Sequence, residues 1–350
     1  MSDDSEIGAE ILFEQCGSIG LVTLNRPKVL NALTYTMVKQ LHPQLQVWET
    51  DSSIKAVVIR AAGEKAFCAG GDIRVLHDQG KAGSPEVINF YRDEYRLNRY
   101  IKRYPKPYIA LMSGINMGGG VGVSVNGSHR IGSERLLFAM PETGIGLFPD
   151  VGGTYFLPRC PGEIGMYLGL TGARLKIADA VYAGIADAYV PADRHGALLD
   201  RLISGEDVDV AIAAEAQQTE TAPFSRQQAQ IDACFSAQGV DAILERLEAD
   251  GSDWAAKTAD TIRSKSPLST RVAYEQIREG AKLDFEDCMS LEFRLTNRFM
   301  AAPDFYEGVR AVVIDKDQAP KWDPATLDAV TNDQVAGYFA SLDDNELRFD

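Results

Sequence analysis

Basic residues are in short supply: 35 Lys and Arg stand against 50 Asp and Glu, a formal charge of −15. That balance excludes a surface that wraps nucleic acid, because neutralising phosphates needs a basic face, although a local patch for one small anionic ligand is still allowed. Histidine is scarcer, and the four at 42, 77, 129 and 195 share no ligand spacing. The five cysteines, at 16, 68, 160, 234 and 288, are odd in number and scattered. They suit a reducing compartment and offer neither a disulfide framework nor a metal clip, so no structural metal is expected. No run approaches the roughly 18 apolar residues of a membrane span, and the chain is expected to be soluble with no membrane partner. Residues 1–10, MSDDSEIGAE, lack the basic and apolar regions of a secretory signal and the arginines of a transit peptide. The reading is a cytoplasmic protein; a processed organellar one would look the same.

What is present is ample apolar content, 45% of 350 residues, enough for one large domain or two of ordinary size. Ile19–Leu24 runs without a helical period and reads as a strand broken by Asn25-Arg26-Pro27. Met37, Leu41, Leu45 and Trp48 mark one face of an amphipathic helix. Ala56–Ile59 is a short buried strand, Phe67–Asp72 a loop leading into helical sequence, and residues 77–85 a surface loop. Glu86–Arg103 is a helix periodic in Val87, Phe90, Tyr91, Tyr95 and Leu97, ended by Pro105 and Pro107. Tyr108–Met112 and Leu136–Ala139 supply further strands. A strand, strand, helix order recurs over Ile19–Trp48, Val57–Arg103 and Ile109–Gly172, which predicts a stacked or spiral α/β architecture with active residues on connecting loops. Beyond Val190-Pro191 the pattern turns helical and polar, with no Gly/Ser linker. Four segments are predicted: 1–10 acidic, 11–195 the α/β core, 196–322 a helical region packed on it, and 323–350 an acidic tail that is loose or weakly helical.

The chemistry concentrates in Gly114–Thr154. Gly118-Gly119-Gly120 and the earlier Ala69-Gly70-Gly71-Asp72 each lie between a strand and a helix. One such loop alone can equally mark a tight turn; two together suggest converging backbone amides able to hold a carbonyl oxygen. Glu142 follows Pro141 at a strand end, where a turn carboxylate is the plain alternative, and for Asp150 that alternative is a helix N-cap. Ile145, Leu147 and Phe148 would make their surroundings apolar, which raises carboxylate pKa values and suits acid–base or nucleophilic work. Glu94 reads by default as part of a solvated helix face. His129 and His195 read as satisfied imidazoles, no serine has nucleophile-elbow context, and Gly118–Gly122 lacks the dinucleotide spacing, so NAD is not expected.

Asn25-Arg26-Pro27 with Asn31-Ala32-Leu33, Phe67–Ile73, the glycine triplet and Met140-Pro141-Glu142, in that order, resemble the enoyl-CoA hydratase/isomerase (crotonase) superfamily. FYRDEYRLN at 90–98, FAMPETGIGLFPDVGGTYFLPR at 138–159 and DFYEGVRAVVIDKDQAPKW at 304–322 narrow the likeness to its 3-hydroxyisobutyryl-CoA hydrolases. The resemblance covers about residues 10–322. It implies a spiral of ββα units with a helical C-terminal region, acting on acyl-CoA thioesters in valine degradation, with CoA as part of the substrate and no separate cofactor. Carried across, the oxyanion amides fall on Gly71 and Gly119. Glu142 matches the catalytic glutamate, Asp150 the hydrolase's aspartate, and Glu94 a substrate-contacting glutamate. The hydratases' second glutamate falls on Gly122, a departure that favours hydrolysis over hydration. Arg26 and Lys28, from their loop position, are candidates for the CoA phosphates. A homo-oligomer would follow the superfamily's habit of forming trimers or hexamers, unless the helical tail covers the same surface.

Overall fold

The computed structural model describes residues 8–349. Nine strands lie among them: β1 (Ile11–Cys16), β2 (Ile19–Leu24), β3 (Ala56–Ala61), β4 (Ala66–Cys68), β5 (Tyr108–Met112), β6 (Ile115–Met117), β7 (His129–Gly132), β8 (Leu137–Ala139) and β9 (Ala188–Tyr189). They form two sheets, ordered β1-β2-β3-β5-β7-β9 and β4-β6-β8. Only β1 and β2 pair antiparallel, and the remaining pairs are parallel. After β1 and β2, which both lie in the large sheet, each successive strand pair places its first member in the large sheet and its second in the small one. This is the predicted ββα recurrence, except that the span Ile19–Trp48 holds one strand, β2, its partner β1 lying before it, and the span Ile109–Gly172 holds two turns of the spiral, β5-β6 and β7-β8.

A parallel sheet needs both faces covered, and the strands supply two sets of apolar residues by simple alternation. Ile19, Leu21, Val58, Ile109 and Leu111 pack against Leu198, Leu199 and Leu202 of the helix His195–Ile203. Val22, Leu24, Val57, Ile59, Ala110 and Met112 face the main core. The boundary predicted between 195 and 196 therefore falls at the start of a helix that covers the large sheet. Four helices frame the small sheet's side: α1 (Tyr35–Thr50), α2 (Ile73–Lys81), α3 (Glu86–Lys102) and the single turn α4 (Gly119–Gly122). Helix α1 is capped by Thr34, whose hydroxyl accepts the Met37 amide at 3.2 Å.

Three local expectations are corrected. Phe67 and Cys68 belong to β4, because that stretch pairs with β6. Residues 77–81 are helical: His77 is buried and its ring lies 5.8 Å from that of Tyr306, leaving only the Gly83-Ser84-Pro85 stretch to break the chain. Of the two readings of the tail beyond 323, the helical one holds and the loose one does not. A Thr331/Gln334 capping box opens the helix Asn332–Phe339, and Val330, Val335 and Leu347 are buried. Part of the acidic segment 1–10 lies outside the described residues.

The helical last third returns to the loop after β8. The Ser266 amide donates to Thr143 O at 3.1 Å, and the Ser266 hydroxyl donates to Asp304 Oδ2 at 2.5 Å. Gly146 and Gly308 permit backbone-to-backbone contact there, since a Cβ on Gly146 would sit 2.3 Å from Asp304 and one on Gly308 2.4 Å from Ile145. Closing this seam brings residues more than a hundred positions apart into one cavity.

Candidate active site

The cavity, about 360 Å³, is bounded by Gly70, Gly71, Gly118 and Gly119 on one side, Tyr91 and Glu94 of α3 on another, and Glu142, Ile145, Leu147 and Asp150. Lys265, Val312 and Gln318 from the C-terminal third complete it. A larger hollow of about 800 Å³ lies between the C-terminal helices. Its arginines Arg271 and Arg294 are already paired with Asp241 and Glu346, so neither is left over for an anionic ligand.

Two glycine turns meet at the wall. Gly118 adopts φ 47° and ψ −126°, a conformation closed to residues with a Cβ, and from it the chain turns into α4. A Cβ on Gly119 would lie 2.7 Å from Glu94 Oε1 and 3.3 Å from the Gly71 nitrogen. The two loops predicted to converge do so. Among the described residues, neither the Gly71 nor the Gly119 amide reaches a backbone acceptor outside its own element. Gly119→Val should therefore leave thermal stability within a few degrees of wild type yet abolish turnover by displacing Glu94 and the Gly71 turn. A variant that instead fails to fold would point to packing as the reason for the glycine.

Opposite these turns sit buried acids. Glu94, Glu142 and Asp150 are 2%, 4% and 4% exposed. Glu142 opens a short 3-10 turn, Glu142–Ile145, and its Oε2, like Oε1 of Glu94, has no hydrogen-bond partner. Asp150 is not an N-cap: Gly152 precedes the helix Gly153–Phe156 without a side-chain cap. It accepts instead the Tyr95 hydroxyl at 2.9 Å, and Tyr95 in turn takes the Thr296 hydroxyl at 2.7 Å. Glu94 is no solvated helix residue either. Val87, Phe90, Glu94, Leu97 and Ile101 form one buried stripe, with the glutamate at its centre.

Burial dominates the electrostatics. It pushes Asp150 up to about 7 against the lowering effect of the Tyr95 hydrogen bond. Glu142 and Glu94 are raised well above the usual carboxylate range, first by burial and then by the charge of Asp150. A fourth acid, Glu292, lies immediately behind and is pushed to about 8 by burial and by Asp150. Clustered acids that cannot all ionise together are equipped to hold and pass protons near neutral pH. Lys265, the one basic residue on the cavity wall among the described residues, has its pKa lowered by burial.

Sequence reasoning missed Tyr95, Glu292, Thr296 and Lys265. For Glu292 and Thr296 a signal existed: both interrupt the inward stripe of Phe285, Met289 and Phe299 on the helix Phe285–Ala301. Arg26 and Lys28 are not on the cavity wall. Arg26 is engaged with Glu10 at 3.1 Å, Asp72 at 3.1 Å and the Ala32 carbonyl at 2.7 Å, while Lys28 is exposed. His129 contacts Ser128 and Asp209, and His195 the Val190 carbonyl, both away from the cavity. No group of three or more His, Cys, Asp or Glu among the described residues is arranged for a metal ion, and no helix among them is long and apolar enough to cross a membrane.

A two-sheet ββα spiral whose paired glycine turns face buried acids is the architecture of the crotonase fold, and the family model described as enoyl-CoA hydratase/isomerase matches residues 19–339. The chain belongs to that family. A 3-hydroxyisobutyryl-CoA hydrolase of Danio rerio, named mitochondrial, is 48% identical over 354 residues, covering 98% of this chain and 93% of the relative. The human protein of the same name is 44% identical, covering 100% and 93%. Two solved structures superpose closely. One, a carnitinyl-CoA dehydratase from Mycobacterium thermoresistibile, has a TM-score of 0.93 at 43% identity over 97% of this chain and 98% of that one. The other, an enoyl-CoA hydratase from Rhodobacter sphaeroides, has a TM-score of 0.92 at 40% identity over 97% and 100%.

Proposed function

We propose that this enzyme hydrolyses 3-hydroxyisobutyryl-CoA to 3-hydroxyisobutyrate and free CoA, the reaction its curated relatives are named for, and that it does so in valine degradation. The observation that carries the choice of hydrolysis over hydration is Gly122. Two carboxylates divide the proton work when water adds across a double bond, and the place of the second is closed here. A Cβ at Gly122 would meet Asn98 Nδ2 at 2.7 Å and Val151 Cβ at 2.9 Å.

In this reading the thioester carbonyl oxygen lies between the Gly71 and Gly119 amides, which stabilise the oxyanion. Each such donor is typically worth about 10²–10³ in rate. Glu142, ionised, either attacks the carbonyl carbon to give a mixed anhydride or takes a proton from the attacking water. The carbon–sulfur bond then breaks, and CoA leaves as a thiolate that is protonated from the acid cluster; on the anhydride route a water next attacks the anhydride, releasing 3-hydroxyisobutyrate and restoring the Glu142 carboxylate. Asp150, oriented by Tyr95, holds the 3-hydroxyl or the water, and Glu94 contacts the acyl group. Beyond CoA itself, the scheme needs no cofactor.

The anionic end of CoA would meet Lys28 and Arg26 outside the cavity, with Lys28 the freer charge. Lys28→Glu should raise KM several-fold at constant kcat; an unchanged KM removes it from the site. A cytoplasmic compartment is likewise a proposal from composition, against the mitochondrial names of the vertebrate relatives, and cell fractionation tests it.

The names of the two superposed proteins, a dehydratase and a hydratase, favour a second reading, hydration or dehydration of an acyl-CoA. Free-thiol release set beside a double-bond hydration assay, on a panel of 3-hydroxyacyl- and enoyl-CoAs, separates them. Hydration without thiol release overturns the hydrolase reading.

A further inference from the structure

Glu292 takes no direct part in the scheme above, yet it is fully buried and lies against the turn that carries Asp150. Its Oε2 accepts the Gly152 amide at 2.9 Å, and its Oε1 accepts that amide at 3.2 Å and the Thr154 amide at 2.9 Å. Between Asp150 and these amides the chain makes a costly excursion. Val151 has φ +52° and Gly152 φ +98°. A β-branched residue adopts the left-handed region only where its surroundings enforce it. Asn126 adds one bond to the Val151 carbonyl at 3.0 Å, but the amide side of the turn rests on Glu292. One helical turn further along the same helix, Thr296 supplies the hydroxyl that orients Tyr95 on Asp150. A single helix face thus grips the aspartate from behind at two points.

We propose that Glu292 is a positioning residue for the reaction: it fixes the 150–154 turn so that Asp150 faces Glu142 in the cavity, and its carboxylate couples to theirs. The inference rests on the hydrolase reading for its rate assay but not for its titration.

The coupling has a definite sign. The groups facing Glu292 are Asp150 from the turn, Glu94 and Tyr95 from α3, Glu142 from the turn after β8, and Cys288 from its own helix; Tyr91 stands behind Asp150 and Glu94. Negative charge on Glu292 makes Glu94, Tyr95, Glu142 and Cys288 harder to ionise, and Asp150, which ionises first, does the same to Glu292. Removing the charge lets Glu94 and Glu142 ionise at lower pH.

Glu292→Gln keeps the side chain's length but sets an amide NH₂ against the Gly152 N–H. With whichever acyl-CoA the wild type cleaves, kcat should fall about tenfold or more while KM stays within a few-fold, and the acid limb of kcat/KM should move about half a pH unit or more downward. Glu292→Asp retains the charge and loses the reach, so kcat should fall with the acid limb where the wild type has it. The carbonyl-stretch infrared band of buried protonated carboxyls should titrate at lower pH in Glu292→Gln and not in Glu292→Asp. Wild-type kcat and an unmoved limb in Glu292→Gln would overturn the proposal. So would a rate loss matched by a collapse in melting temperature, with the infrared titration unchanged. If the wild type releases no thiol from any acyl-CoA, the hydrolase reading fails, and the infrared titration still decides the role of Glu292.

Discussion

Glu142→Gln should stop thiol release, with a loss on the order of 10³-fold or more whether the carboxylate attacks or activates water, and should at the same time make the protein harder to melt above neutral pH. The second half follows from linkage. Burial and the Asp150 charge raise the folded pKa of Glu142 well above its normal range, while in the unfolded chain it ionises near about 4.3. Between those values the folded state binds the proton that the unfolded state has released, so stability falls as pH rises through the window. Glutamine is never charged and escapes that penalty. Each unit of elevation is about 1.4 kcal/mol, which corresponds to a few degrees in Tm. Melting curves should show the variant above wild type at pH 8 and the gap closing towards pH 5. A variant that cleaves thioester at the wild-type rate would mean the wrong carboxylate has been chosen, and one that is inactive but melts lower at pH 8 would mean the side chain serves packing.

Asp150→Asn is the second large effect. Its carbonyl can still accept the Tyr95 hydroxyl, so the network behind it should persist, and what is lost is the negative charge and one acceptor facing the substrate. A rate loss of about 10²–10³ is expected. In the wild type, kcat/KM should climb as pH rises through about 7, where Asp150 changes charge state, the apparent value belonging to the coupled acids together. In the asparagine variant that limb should vanish or move. A limb near 7 that survives unchanged would assign it to another group.

Strand positions and both glycine loops were legible because their signals are local. The apolar run Ala56-Val57-Val58-Ile59 and the triplet Gly118-Gly119-Gly120 need only neighbouring residues to be read. Glu142 and Asp150 could be singled out by the apolar residues around them, but local sequence left a turn carboxylate or an N-cap standing as alternatives, and only their burial in the fold removes those. Glu94 was harder for a different reason. A glutamate between Tyr91 and Tyr95 looks solvated until it is set on the 87, 90, 94, 97, 101 spacing, where it falls in the middle of an apolar stripe. The same spacing exposes Glu292 and Thr296. Lys265, Val312 and Gln318 had no signal at all, because they reach the cavity through a seam made by Ser266, Asp304, Gly146 and Gly308, and contacts across more than a hundred residues leave no periodicity to read. The tail was misjudged because its composition is acidic, whereas its order depends on three buried apolar residues, Val330, Val335 and Leu347.

The seam has a consequence for handling the protein as well as for its chemistry. Gly71 and Gln318 stand in one wall, so a molecule lodged between them is gripped by both ends of the sequence. Occupancy and docking of the last third are then a single linked equilibrium. A saturating acyl-CoA analogue should slow proteolytic nicking within 310–322, far from the glycine turns in sequence, and a chain shortened before Lys265 should lose affinity for it.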